Sequence, residues 1–338
     1  MKLKWLLWLI IATSCTSTKQ YNEKEIAALG HYLFFDTRLS LNNTKSCASC
    51  HNPNFAFTDG YRTSITSLGE NVLHNAPSII NSSYLKRYDW ANPNITSLTQ
   101  QVKRPLYTHQ PIELGLDKHF ISLKKTLAED SLYNSLFKKA FPNDDSLFTK
   151  QQIETAIVAY EKTLTSQESK FDKKTLTPQQ LNGLKLFLSK PLNCGVCHPP
   201  PNFTLAATSN YIDSIYINIG LYNINGNDEY PKNDAGLSMI TNNKKDNGKF
   251  KIPSLRNVLL TAPYMHDGSI ASISEVIDMY ARGGRINKEG DGKLNKNKHP
   301  LIKGFLLSDK EKMELISFLA SLTDSTIFKK PQFKNPFR

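Results

Sequence analysis

The chain has 338 residues, 39% hydrophobic, 10% aromatic and 21% charged, enough apolar material for one large domain or two of ordinary size. Those proportions exclude a disordered tail and a membrane-spanning bundle. The formal charge of +12 comes from 42 Lys and Arg against 30 Asp and Glu. The densest basic run, Asn243-Lys244-Lys245, is too short for a nucleic-acid arm, so the balance points to a solvated lysine-rich surface or an acidic partner.

In chain order, Met1-Lys2-Leu3-Lys4 is a short basic start, followed by an apolar run from Trp5 to Ala12 and then Thr13-Ser14-Cys15. The run is too short to span a bilayer and has the build of a secretory signal. Small residues directly before a cysteine match a lipoprotein-type cleavage site. The expectation is a signal over residues 1–15 and a periplasmic or cell-envelope protein lipid-anchored through Cys15. An ordinary signal cut nearby, leaving Cys15 as a free thiol, is the alternative.

Asn22-x-x-Glu25 is a capping-box pattern that opens a helix with Ile26, Leu29 and Gly30-x-x-Leu33-Phe34. The unit Cys47-Ala48-Ser49-Cys50-His51 follows. Thr149-x-x-Gln152 then leads Ile153, Ala156, Ile157, Tyr160 and Leu164, an amphipathic helix. Residues 166–176, polar and lysine-rich, read as a linker. Beyond it the same plan returns. Thr177-Pro178 opens a helix with Gly183-x-x-Leu186-Phe187, Cys194-Gly195-Val196-Cys197-His198 follows, and Ser308-x-x-Glu311 leads Leu315, Ile316, Leu319 and Leu322. Strand signals are sparse, Tyr211-Ile212 and Ile215-Tyr216-Ile217 being the best.

Four of the five cysteines fall in the two Cys-x-x-Cys-His units, and with eight histidines in the chain one such unit arises by chance with a probability of about 0.002. No cysteine remains for a disulfide scaffold once Cys15 is set aside. In each unit the two thiols form thioethers to haem vinyl groups and the next residue, His51 or His198, supplies the proximal nitrogen to iron. A Cys2His2 zinc site would explain neither the adjacent His nor the export signal. The pattern therefore predicts a mostly α protein, two class I cytochrome c-like domains in tandem (20–165 and 177–338), each with one covalent c-type haem.

The sequence resembles the bacterial dihaem cytochrome c peroxidase family, including its MauG and MbnH branch. The resemblance spans nearly the whole mature chain. Besides the haem units it rests on Phe57-Thr58-Asp59-Gly60, Asn75-Ala76-Pro77-Ser78, Pro111-Ile112-Glu113-Leu114-Gly115, Ile252-Pro253-Ser254-Leu255-Arg256-Asn257 and Thr261-Ala262-Pro263-Tyr264-Met265-His266-Asp267-Gly268. It implies that the N-terminal haem meets hydrogen peroxide while the C-terminal haem relays or stores oxidising equivalents.

The resemblance also assigns residues. Glu113 matches the family's acid, which moves a proton between the peroxide oxygens; Tyr107 and His109 are further candidates for that pocket. Trp90 matches the tryptophan between the haems. Asn75, Thr261 and Pro263 match the ligands of an inter-haem calcium ion, the last two through their carbonyls. The loop Ser64–Glu70, where many relatives carry a distal histidine, has none. His74 falls off register and reads as structural, so the first haem is expected to be open to peroxide. For the second haem, Ser272-x-x-Glu275 and Gly283-Gly284 bound a helix on whose apolar face Tyr280 sits centrally and Met279 at the margin. Tyr280 matches the MauG ligand position, with Met279 or Met265 as alternatives.

Two activities are expected on this basis. The first is reduction of hydrogen peroxide with electrons from a small cytochrome c or cupredoxin. The second is peroxide-dependent oxidation of Trp or Tyr in a partner protein. A non-enzymatic dihaem electron carrier sits poorly with Glu113 and the missing distal histidine.

Overall fold

The computed structural model describes residues 22–337, so the expected signal and Cys15 lie outside the described residues. Among these, eight helices reach ten residues or more and sheet is minor. No described helix is long and apolar enough to cross a membrane.

Helix α1 (Glu23–Phe35) starts at Asn22, whose Oδ1 accepts the Lys24 N–H. Three helices then fill the first half: α2 (Leu98–Tyr107), α3 (Leu116–Glu129) and α4 (Ser131–Ala140). The first of them opens at Ser97, which forms a complete capping box with Gln100. The remaining long helices are α5 (Lys150–Thr163), α6 (Pro178–Leu188), α7 (Ile273–Arg282) and α8 (Asp309–Ala320). All four begin at the expected Ser or Thr, with both bonds of the capping box formed. Each cap contributes about 1 kcal/mol by satisfying otherwise orphaned N–H groups. Gly283, at φ 79°, ends α7 in the left-handed conformation that a side chain would resist.

The repeat seen in the sequence becomes a repeated helix crossing. Helix α1 lies against α5, and α6 against α8. At both crossings a glycine removes the side chain that would hold the backbones apart. A Cβ on Gly30 would collide with the Ala156 carbonyl, and one on Gly183 with the Glu314 carbonyl and Phe318. Around the first crossing Leu29, Leu33, Phe34, Ile153, Ala156 and Ile157 are buried together; around the second, Phe187, Phe203, Leu315, Phe318 and Leu319. We expect Gly183→Ala to destabilise the protein by about 2–3 kcal/mol, because the obstacle is main chain that cannot rotate away. A denaturant midpoint equal to wild type would show that the helices separate freely.

A third, smaller core joins Leu221, Tyr222, Tyr230, Phe250 and Met279. Its Phe250 comes from strand β2 (Lys249–Lys251), which pairs antiparallel with β1 (Tyr216–Asn218), Ile217 opposite Phe250. The short strands β3 (Ile286–Asn287) and β4 (Gly290–Asp291) form a separate ribbon. Of the two expected strand segments only Tyr216 and Ile217 of the second are in a strand; Ile212–Ile215 is a helical turn.

The segment read as a linker is not a loose tether. Ser166 and Ser169 are buried, Asn81 exchanges two 2.9 Å hydrogen bonds with the Ser166 backbone, and Asp172 holds Arg256 with bonds of 2.9 and 2.8 Å. Its lysines face water while its Ser and Asp side chains turn inward, so composition alone misleads there. The tail also departs from the expected second unit. Ile327 and Phe333 are buried in the first core, Tyr160 Oη donates to the Gln332 carbonyl at 2.8 Å, and His31 Nε2 donates to that of Lys334 at 2.6 Å.

Candidate functional site

The two Cys-x-x-Cys segments each form one helical turn, Cys47–Cys50 and Cys194–Cys197, and the following histidine caps it with a non-helical backbone. The His51 imidazole donates from Nδ1 to the Phe57 carbonyl at 3.0 Å, and His198 does the same to Phe203 at 3.0 Å. Phe57 and Phe203 both have positive φ, 61° and 53°, and both rings are fully buried. A left-handed phenylalanine is strained, and here the burial of its ring holds the carbonyl turned toward the imidazole. A carbonyl can only accept, so the proton sits on Nδ1 and Nε2 keeps its lone pair, the form an iron ligand needs.

Burial lowers the pKa of both imidazoles, opposed by nearby carbonyls; His198 falls to about 4. Burial also raises all four thiols, Cys50 to about 11 and Cys194 to about 12. A zinc site wants converging thiolates, whereas among the described residues no three His, Cys, Asp or Glu side chains converge on a cation position. Neutral imidazoles beside paired, protonated thiols fit covalent haem.

One large cavity contains most of the second unit. It is lined by Cys194, Cys197, His198 and Tyr280, and also by Thr58 and Asn75–Ser78 of the first half. Trp90 lies in its wall, with the indole Nε1 donating to the Asn75 carbonyl at 2.9 Å. The Pro77 backbone in the same wall also reaches His51. Trp90 therefore lines the cavity of the second unit and is hydrogen-bonded to the segment whose Pro77 backbone reaches His51.

Tyr280 and Met279 separate. Tyr280 lines the cavity, while Met279, only 1% exposed, is packed into the third core and does not. This corrects the expectation that Met279 sits at a helix margin: α7 is buried on two faces, and a single apolar stripe cannot describe it. Met265 also lines the cavity. Burial raises the Tyr280 phenol, with Cys197 and Cys194 adding to the effect. An anionic oxygen at this place needs a positive partner, which an iron ion would supply.

Glu113 stands at the first unit. Its field reaches both Cys47 and Cys50, and its carbonyl accepts the Ser67 N–H at 3.1 Å, tying it to the histidine-free loop. Burial raises the Glu113 pKa, with Arg104 opposing and Asp89 reinforcing. The other pocket candidates are engaged elsewhere. Tyr107 Oη donates to Glu154 at 2.8 Å, and His109 is an exposed residue 3.6 Å from Asp117. His74 donates to Asp234 at 2.9 Å and stands edge-on to Phe250, contacts that suit a structural role.

Asn75, Thr261 and Pro263 line the one cavity together. Asn75 Nδ2 donates to the carbonyls of Tyr61 and Arg62 at 2.9 and 3.4 Å. Its Oδ1 accepts no hydrogen bond among the described residues, which leaves it free for a cation.

Glu161 and Lys251 are further buried ionisable groups. Glu161 in α5 is 7% exposed and burial pushes its pKa up to about 8. Its spacing from Ile153 and Ile157 puts it on the apolar stripe of its helix, a signal that was there to find. Lys251 in β2 is 5% exposed, and no local pattern distinguishes it from a surface lysine.

Residues 24–179 match the family model described as di-haem cytochrome c peroxidase. The cytochrome c551 peroxidase of Nitrosomonas europaea is 32% identical over 318 residues, covering 92% of this chain and 83% of that protein. The methylamine utilization protein MauG of Methylophilus methylotrophus is 31% identical over 310 residues, covering 88% and 82%. Among solved structures, a MauG-like protein associated with microbial copper homeostasis superposes with a TM-score of 0.89 at 38% identity, covering 93% of this chain and 94% of that one.

Proposed function

The chain belongs to the di-haem cytochrome c peroxidase family, and from that membership we propose that it is a MauG-like oxidase that spends hydrogen peroxide to withdraw electrons from Trp or Tyr of a partner protein. The family is one of haem oxidoreductases and implies two haem c groups. In our reading they sit one in each of two cytochrome c-like units, on Cys47, Cys50 and His51 and on Cys194, Cys197 and His198. Haem bound there would supply iron that exchanges electrons with peroxide and with the partner.

The observation that carries this reading is Tyr280 in the wall of the cavity shared with His198, a wall to which Met279 does not contribute. A hard oxygen ligand favours oxidised iron far more than a thioether does, which suits storage of oxidising equivalents rather than simple relay. The likeness to a MauG-like protein over nearly the full length of both chains supports it. At the first unit the Glu113 carboxylate takes the proton from one peroxide oxygen and returns it to the other as the O–O bond breaks. Trp90, held by its N–H, is the oxidisable ring between the units. Asn75 and the carbonyls of Thr261 and Pro263 hold calcium in this reading. The protein works in the periplasm or cell envelope, with Cys15 as its lipid anchor.

A second reading, peroxide reduction fed by a small cytochrome c or cupredoxin, is favoured by the relatives that are cytochrome c peroxidases. One experiment separates the two. A single equivalent of peroxide added to fully oxidised holoprotein should change the spectra of both haems with no prior reduction. A response only after one haem has been reduced would overturn the MauG-like reading in favour of the peroxidase.

A further inference from the structure

Lys251 is a buried cation that forms no ion pair among the described residues. It is 5% exposed, in strand β2, and its backbone N–H donates to the Trp90 carbonyl at 2.8 Å. Its Nζ lies 5.3 Å from the centroid of the Trp90 ring, and the side chain lines the cavity that contains Cys194, Cys197 and His198. Among the described residues no side chain makes an ion pair or hydrogen bond with this ammonium.

The anions nearby are engaged elsewhere. Asp89, whose field reaches Lys251, accepts the Ala91 and Asn92 N–H groups through Oδ1, and its Oδ2 is 3.3 Å from Arg104. Asp172 is held by Arg256, the other buried cation on this cavity, and Asp234 lies between His74 and His266. Burial pulls the Lys251 pKa down to about 8, Asp89 opposing. A cation in such a place is stable only when an anion arrives to meet it. Haem c carries two propionate carboxylates, and the cavity is the one in which the second haem would be held.

We propose that Lys251 anchors a propionate of the haem attached at Cys194 and Cys197. The proposal rests on the haem reading of that unit. It makes Lys251 a positioning residue: the carboxylate fixes the porphyrin edge beside Trp90, and the pairing cancels the positive field that the ammonium otherwise places on the indole ring.

The test uses holoprotein matured with both haems, in wild-type, Lys251→Met and Lys251→Arg forms. Haem load is counted by denaturing mass spectrometry and the midpoint potentials are measured by spectroelectrochemistry. Met removes the charge and keeps most of the bulk, so the carboxylate is left unneutralised and favours the ferric state. The potential of the second haem should shift downward in Lys251→Met and stay at the wild-type value in Lys251→Arg. Loss of the second haem in the Met form alone would also support the anchor. Two bound haems with an unchanged potential in Lys251→Met would overturn it, as would loss of haem from both variants, which would mean packing alone. A wild-type potential that moves with phosphate concentration at constant ionic strength would identify a free anion on Lys251 and also overturn the proposal. If the wild-type protein carries no haem at Cys194 and Cys197, the haem reading itself fails, and mass spectrometry distinguishes that outcome from the others.

Discussion

Glu113→Gln should slow the reaction of the first haem with hydrogen peroxide at least tenfold while leaving both haems attached. The amide keeps the size and the polar surface of the side chain but cannot accept a proton and give it back. General acid–base help of this kind contributes roughly 10²–10⁴ in rate. A pH signature accompanies it. Burial raises the Glu113 pKa above the usual carboxylate value, so the proton-accepting form is lost at a higher pH than for an exposed glutamate. The wild-type rate should therefore fall as the solution is acidified through that raised pKa, and the Gln variant should lack this limb. Stopped-flow mixing across the acidic to neutral range reads both effects. Unchanged kinetics would remove Glu113 from catalysis.

Tyr280→Phe should abolish the wild-type spectrum of the second haem and raise its potential by on the order of 0.1 V or more, against the roughly 0.8 V that axial ligands span. The substitution removes one oxygen and keeps the ring, so it separates ligation from packing in the cavity wall. Peroxide added to the oxidised variant should no longer alter both haems together. A second haem that kept its wild-type low-spin spectrum would make Tyr280 a packing aromatic. Met265, which shares the cavity, would then be the residue to replace, and not Met279, which is packed among Leu221, Tyr222, Tyr230 and Phe250.

What the sequence determined by itself is what short-range chemistry encodes. The capping boxes at Thr149, Ser272 and Ser308 are closed by residues three positions apart, so they could be read directly, and they form. Asn22, in contrast, caps the first helix through the Lys24 N–H alone, and its expected box with Glu25 is not made. The Cys-x-x-Cys-His units are equally local, since two thiols and an imidazole on one turn need only five consecutive residues. The paired glycines at positions 30 and 183 announced a repeat, although their reason, a carbonyl pressed against each, appears only when the partner helix is in place. Tertiary structure decided whatever depends on residues far apart in the chain. It turned the linker serines inward, sent Ile327 and Phe333 back to the first core, and buried α7 on two faces. It also placed Lys251 over Trp90, 161 positions away. A lysine between two strand residues carries no sign of burial, because burial is a property of what folds over it, and that information lies elsewhere in the chain.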